Sequence, residues 1–169
     1  MSDPSRQFCG FATTWGPPEN WDADSFRRWV KLETGVPLKL GHDAVIFSSG
    51  LVLEAVGRIT DSALLDEASS HPGGLLVLSV LDPGPVGDLV LADTRNPRPH
   101  RRPWGLSVAA RILREGARVE LALPWEISLT PRPAYPDALI LGVGDRAARV
   151  WDLLTPARPR RTGLPADEE

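Results

Sequence analysis

Two polar side chains of types used in nucleophilic and acid–base catalysis lie on neighbouring predicted strands. Ser107 lies mid-strand between apolar residues, and Glu126 lies in the β-prone run Trp125–Thr130. Because successive strand side chains point to opposite faces, Glu126 shares a face with Ser128 and Thr130. The apolar face consists of Trp125, Ile127 and Leu129. The pattern alone is equally typical of an ordinary antiparallel sheet, with Ser107 a small filler and Glu126 an exposed polar residue.

The two runs are joined by the predicted turn Arg114–Ala117, and a proline-rich segment, Pro133–Ala138, follows them. A short turn between two strands predicts an antiparallel pair. Ser107 and Glu126 can therefore face the same side of a sheet.

A base for such a serine would have to come from elsewhere in the chain. Of the three histidines, His42 lies at the end of the predicted strand Val36–Asp43, whereas His71 and His100 lie beside prolines in predicted loops. A lone histidine at a strand end is equally well explained as a structural or exposed residue. The segment Asp93–Pro103 is a predicted basic, proline-rich loop. Its arginines suit an anion or nucleic acid, but it has no interleaved aromatic residue and is equally typical of a solvated loop.

The composition predicts one soluble domain from a reducing compartment. The chain has 169 residues, 42% apolar and 24% charged, with a net charge of −3. That charge predicts no strong attraction to nucleic acid or to an anionic membrane. The single cysteine, Cys9, excludes an internal disulfide and a cysteine-based zinc cluster. We find no secretory signal and no apolar run near 18 residues. We also find no motif for a metal or a cofactor, so we expect the protein to bind neither a metal nor a cofactor.

The 17 prolines and 15 glycines favour many short strands over long helices. Strands are predicted at Phe8–Trp15, Val36–Asp43, Leu51–Thr60, Gly74–Leu81 and Leu139–Val143, in addition to the two runs above. Gly74–Leu81 is continuously apolar and predicts a strand buried on both faces. Gly57 marks a bulge or a close approach. Helices are predicted at 22–33 and 145–154. The segment 62–70 is predicted as a short helix or irregular turn, and 86–92 as a strand or a helix.

Seven short motifs follow one another in an order that resembles a known family. They are Gly10–Ala12, Asp24–Phe26, Gly41–Asp43, Val56–Ile59, Gly105–Ser107, Glu126–Thr130 and Pro133–Ala138. This order is similar to that of the prohead (capsid maturation) serine proteases of tailed phages, of the HK97 type. The resemblance covers roughly residues 8–143.

The family is related to the herpesvirus assemblins, and the resemblance implies an α+β fold. The expected architecture is a mostly antiparallel β-barrel with a few flanking helices. We expect residues 8–154 to form this single domain. Residues 1–7 are expected to be a flexible N-terminus, and residues 155–169 a disordered tail rich in proline, arginine and acidic residues.

The resemblance also implies a serine endopeptidase with a triad. Ser107 would be the nucleophile, His42 the base and Glu126 the orienting carboxylate. Serine is a poor nucleophile until a base takes its proton, and the base needs a partner that fixes its tautomer. The oxyanion would be bound by backbone N–H groups or an arginine. Arg132 is a candidate for that role and is equally well explained as a surface charge.

The implied substrate is a scaffold or capsid-protein segment inside an immature phage capsid in the host cytoplasm, with no membrane or nucleic-acid partner. Self-association stays open. Two positions depart from the family pattern, because Gly41 and Tyr135 stand where asparagine is common. They leave open an inactive relative that acts as a scaffold or assembly module. A β-barrel binding module whose basic loop contacts nucleic acid is a further alternative.

Overall fold

The computed structural model describes residues 3–30, 36–40, 55–97, 99 and 102–156. Within these ranges the chain forms seven strands and three α-helices after a 3-10 turn at Pro4–Arg6. The strands are β1 (Gln7–Thr14), β2 (Pro37–Leu40), β3 (Gly57–Leu65), β4 (Gly74–Leu81), β5 (Gly105–Glu115), β6 (Arg118–Thr130) and β7 (Ile140–Val143). The helices are α1 (Ala23–Val30), α2 (Pro85–Arg95) and α3 (Asp145–Leu154). None of these helices is long and apolar enough to cross a membrane.

The strands form one curled sheet in the order β5-β6-β2-β3-β4-β1-β7. Neighbouring strands are antiparallel except β2 and β6, which are parallel. The two edge strands approach each other where Gly105 pairs with Leu139 and the N–H of Leu106 donates to the carbonyl oxygen of Ala138 at 2.8 Å. The predicted α+β class and the mostly antiparallel sheet are confirmed.

Strand β4 is buried along its whole length because its two faces enter two different cores. Leu75 and Val77 belong to the main core, which the sheet shares with α1. Leu76 and Leu78 belong to a second core and pack with Trp151 of α3. The prediction of a strand buried on both faces is confirmed, and α3 explains the second face.

Helix α1 begins with a reciprocal cap and is attached to β6. The N–H of Ser25 donates to the Asp22 carboxylate at 3.1 Å, and the N–H of Asp22 donates to the Ser25 hydroxyl at 3.2 Å. Such a pair satisfies backbone donors that have no partner within the helix. The Ser25 hydroxyl also donates to the carbonyl oxygen of Val119 at 2.7 Å, which ties α1 to β6. The predicted helix 22–33 is confirmed up to Val30, and 31–33 lie outside the described residues.

Two segments differ from their predictions. Residues 62–65, predicted as a short helix or irregular turn, continue β3, because that strand pairs with β4 as far as Leu65 and Gly74. Pairing with a neighbouring strand here overrides local preference. Residues 86–92, which the sequence predicted as either a strand or a helix, are helical and belong to α2. Helix α2 continues to Arg95 and therefore includes the start of the predicted basic loop.

Gly57 is a point of close approach, as the sequence predicts. A Cβ atom built there would lie against the carbonyl oxygen of Val80, well inside contact distance. The bulge in β3 lies instead between Ile59 and Asp61. Of the predicted strand Leu51–Thr60, residues 51–54 lie outside the described residues.

Candidate active site

Ser107 is the third residue of β5 and is paired across the ladder with Ser128 of β6. The hairpin between these strands turns at Gly116 and Ala117, where Gly116 has a φ of 60° that suits glycine. The predicted turn is confirmed. Ser107 is 5% exposed. It is therefore an almost buried hydroxyl on a well-paired strand.

Glu126 lies on the same face of the hairpin, opposite Ala109. Its side chain is not the exposed polar group that an ordinary strand pattern predicts, because Glu126 is 7% exposed. The Ser128 hydroxyl donates to its Oε1 at 2.6 Å, and Lys39 Nζ lies 2.9 Å from its Oε2. A buried carboxylate must be hydrogen-bonded and paired with a positive charge, and these two contacts meet that requirement.

Three polar residues form a row across three strands. Lys39 of β2 pairs with Ser128 of β6, and Ser128 pairs with Ser107 of β5. Cross-strand partners place their side chains on the same face. Leu38 and Ile127, the residues immediately before Lys39 and Ser128, are fully buried in the main core. The row therefore belongs to the face opposite the core.

Lys39 and Ser128 were not predicted as parts of the site. Lys39 was hard to identify because its contact with Glu126 depends on parallel pairing between strands far apart in the sequence. The available signal was its position between Leu38 and Leu40, which alternation assigns to the opposite face.

His42 lies outside the described residues. The last described residue before it is Leu40, which pairs with Leu129 of β6. His71 lies in the connection between β3 and β4, where its Nδ1 is 2.9 Å from the carbonyl oxygen of Pro72 and its ring lies 6.1 Å from that of Phe11. The structure thus brings Ser107 and Glu126 to one face, and it does not describe the predicted base.

A surface cleft of about 270 Å³ opens beside Ser107. It is lined by Pro18, Glu19, Trp21, Ser107, Val108, Ala109, Ala110, Ile112, Trp125, Ala134 and Tyr135. Trp125 was predicted to share the apolar face of Ile127, but it is 52% exposed, whereas Ile127 is fully buried. The register shifts here, since Ala109 pairs with Glu126 and Ala110 with Pro124. The unpaired extra residue of this bulge is Trp125, and a bulge redirects side chains.

Arg132 lies near a different cleft. Its backbone N–H donates to the Thr130 hydroxyl at 3.1 Å, and it lines a space of about 610 Å³ together with Arg102 and Trp104. This larger cleft does not include Ser107 among its lining residues. The larger of the two cavities is therefore not the one next to the candidate nucleophile.

Among the described side chains, no group of three or more histidine, cysteine, aspartate or glutamate residues could hold a metal ion. No protein-family model matches the sequence, and no curated protein matches it.

Proposed function

We propose that this chain is a serine endopeptidase of the kind found as tailed-phage prohead proteases, with an assemblin-like β-barrel fold. In this proposal it cleaves scaffold or capsid-protein segments inside an immature capsid in the host cytoplasm. The observation that carries the proposal is the buried Glu126, held by Ser128 directly across the ladder from Ser107. A buried carboxylate on the face of a cleft-lining serine is what a serine–histidine–carboxylate triad requires.

The proposed reaction proceeds through an acyl-enzyme. The Ser107 oxygen bonds to the carbonyl carbon of the scissile peptide, and its proton passes to the imidazole of His42. The C–N bond then breaks, and the departing amine takes that proton. Water attacks the ester in the same way, which releases the acid and restores Ser107. Glu126 would hold His42 in the correct tautomer and stabilise its charged form without taking the proton.

The outer edge of β5, which has no strand partner beyond Leu106 within the described part of the chain, supports a polypeptide substrate. Leu106 directs its N–H away from β6, toward Ala138. Alternate residues of a strand direct their backbone groups to the same edge, so Val108, next to Ser107, also faces outward. Beyond Leu106, no described backbone group pairs with this edge. An extended peptide could add there as a further strand, which would lay its backbone beside Ser107.

The curled sheet supports the barrel-like part of the proposal. Its edge strands β5 and β7 approach each other at the Gly105–Leu139 pair, as in a sheet that closes on itself. Gly105 suits this seam because a Cβ atom there would lie 2.5 Å from the carbonyl oxygen of Ala138.

A fluorophosphonate probe, which reacts with activated serine hydroxyls, tests the proposal. The wild-type chain should be labelled, and peptide mapping should locate the label on Ser107. Ser107→Ala and His42→Ala should abolish labelling, while Ser62→Ala, which changes a buried serine of β3, should keep it. A wild-type chain that stays unlabelled would reject the protease and favour the inactive scaffold.

A further inference from the structure

The cleft beside Ser107 has a fixed aromatic floor. The rings of Trp21 and Tyr135 are stacked, with centroids 5.6 Å apart and planes 17° from parallel. The indole N–H of Trp21 donates to the Thr13 hydroxyl at 3.0 Å. The Tyr135 hydroxyl donates to the carbonyl oxygen of Gly16 at 3.1 Å and accepts from the N–H of Glu19 at 3.0 Å. Both aromatic residues are buried, so they form a preorganised surface.

One wall of the cleft is a large apolar side chain that the fold leaves in solvent. Trp125 is half exposed at the bulge of β6. Ile112 of β5 also lines the cleft and is partly exposed. Exposed tryptophan at the mouth of a cleft is typical of recognition surfaces, because its area is large and its conformational entropy is small.

The charge of the lining selects against ionised groups. Of the described residues that line this cleft, Glu19 is the one with a charge, and its carboxylate is paired with Arg114. A charged ligand group would therefore lose hydration without gaining an opposite charge, which is costly. An apolar group would instead bury the exposed faces of Trp125 and Ile112.

The size of the cleft suits a side chain better than a whole ligand. Pockets that enclose drug-sized molecules have volumes of about 300 to 1,000 Å³. The cleft has about 270 Å³ and is partly open. Val108 and Ala110, which line the cleft beside Ser107, also pack against the main core, so the cleft lies on the face of β5 opposite to the Ser107 side chain. A substrate strand paired along the edge of β5 would place in the cleft the side chain of a residue next to the one opposite Ser107, because neighbouring strand side chains point to opposite faces.

We propose that this cleft is a specificity subsite that receives a large apolar or aromatic side chain of the substrate polypeptide beside the scissile bond. The inference rests on the proposed function, since it assigns the substrate class of the same site. Trp125 and the Trp21–Tyr135 stack act in it as recognition residues.

A peptide-library digest read by mass spectrometry tests this subsite. Wild-type cleavage products should be enriched in phenylalanine, tyrosine, tryptophan or leucine at one position within two residues of the cleaved bond. For peptides that differ only there, the kcat/KM for phenylalanine should exceed that for aspartate by about 10-fold or more. Trp125→Ala should remove most of this preference, and Trp125→Phe should retain it.

Leu113→Ala is the matched control. Leu113 is an apolar residue of the same hairpin, is 58% exposed and does not line the cleft. Its substitution should leave the preference unchanged. Equal preference in wild type and Trp125→Ala would overturn the subsite.

A binding measurement separates failure of the subsite from failure of the protease. Ser107→Ala protein, with tryptophan indoles labelled with ¹⁵N, is titrated with N-acetyl-phenylalanine amide and then with N-acetyl-aspartate amide. The Trp125 indole signal should shift with the first compound and not with the second. If cleavage and probe labelling fail but this shift appears, the cleft is confirmed as a binding site for apolar side chains and the endopeptidase is rejected. If neither compound shifts the signal, the subsite is rejected even in an active protease.

Discussion

Ser128 donates a hydrogen bond of 2.6 Å to Glu126, two residues before it on the same strand. Because Ser128 also lies directly across from Ser107, the carboxylate and the candidate nucleophile are held by one pair of strands. Side chains on paired strands are positioned more rigidly than side chains on loops. Lys39 reaches the other carboxylate oxygen from the next strand, so Glu126 is fixed from two directions.

The first prediction concerns the triad. Ser107→Ala and His42→Ala should each reduce kcat/KM by about 10⁴-fold or more, because each removes a group that acts in the chemical step. Glu126→Gln should cost less, because Glu126 orients the base and does not take the proton. The rates are measured on a peptide identified in the library digest. Full activity in Ser107→Ala would defeat the assignment, and a folded Ser107→Ala protein confirms that only chemistry was lost.

The second prediction compares two buried serines. Ser128→Ala should lower the free energy of unfolding by about 1.5 to 3 kcal/mol, because it removes a hydrogen bond to a charged group. Ser79→Ala is the control, since the Ser79 hydroxyl is equally buried but has no hydrogen-bond partner among the residues that the structure describes. Its substitution should be neutral or stabilising. Urea unfolding measures both, and equal losses would contradict the role given to Ser128.

The third prediction concerns Gly57. Gly57→Ala should destabilise the protein by about 1 to 3 kcal/mol, because the new methyl group meets the backbone oxygen of Val80. Gly116→Asn is the control, since no atom lies near the Gly116 position and asparagine tolerates positive φ. Thermal melting should give a lower Tm for Gly57→Ala than for Gly116→Asn. An unchanged Tm in Gly57→Ala would show that the backbones of β3 and β4 leave room for a methyl group at this position.

The fourth prediction concerns alkaline pH. Burial raises the pKa of the Cys9 thiol from 9.0 to about 12. Below about pH 9 the thiol is protonated in both folded and unfolded chains, and its contribution to stability is full. Between pH 9 and 12 only the unfolded chain releases the proton, so the free energy of unfolding falls by at most about 1.4 kcal/mol per pH unit from this group. Cys9→Ala should show a shallower decline in urea unfolding across this range, and an identical slope would exclude the effect.

The fifth prediction concerns the end of α3. Thr155 is buried, and both its N–H and its hydroxyl donate to the carbonyl oxygen of Trp151, at 2.9 and 2.7 Å. A chain that ends at Leu154 should therefore lose about 1 to 2 kcal/mol, since each hydrogen bond contributes about 1 kcal/mol. A chain that ends at Pro156 should keep its Tm, because the proline-rich remainder has little apolar surface to bury. Equal Tm values for the two truncations would contradict this role of Thr155.

Features that depend on neighbouring residues were predictable from the sequence. The β5–β6 turn follows from Gly116, and the bounds of α3 follow from helical spacing of apolar residues. The continuous apolar run of β4 indicated burial on both faces, although α3 as its second neighbour was not evident. These patterns are local, because turn geometry and side-chain periodicity act over a few residues.

The sequence by itself determined a hairpin on which Ser107 and Glu126 can share a face, because a regular ladder extended from the short turn places them opposite each other. The two register shifts of the actual ladder together preserve that shared face. The tertiary structure decided what surrounds these two residues. Lys39 reaches Glu126 only because β2 pairs in parallel with β6, and Trp125 leaves the core only because β6 bulges opposite β5. Strand pairing joins residues far apart in the chain, and its register depends on how the whole core packs, so no local pattern could have specified either contact.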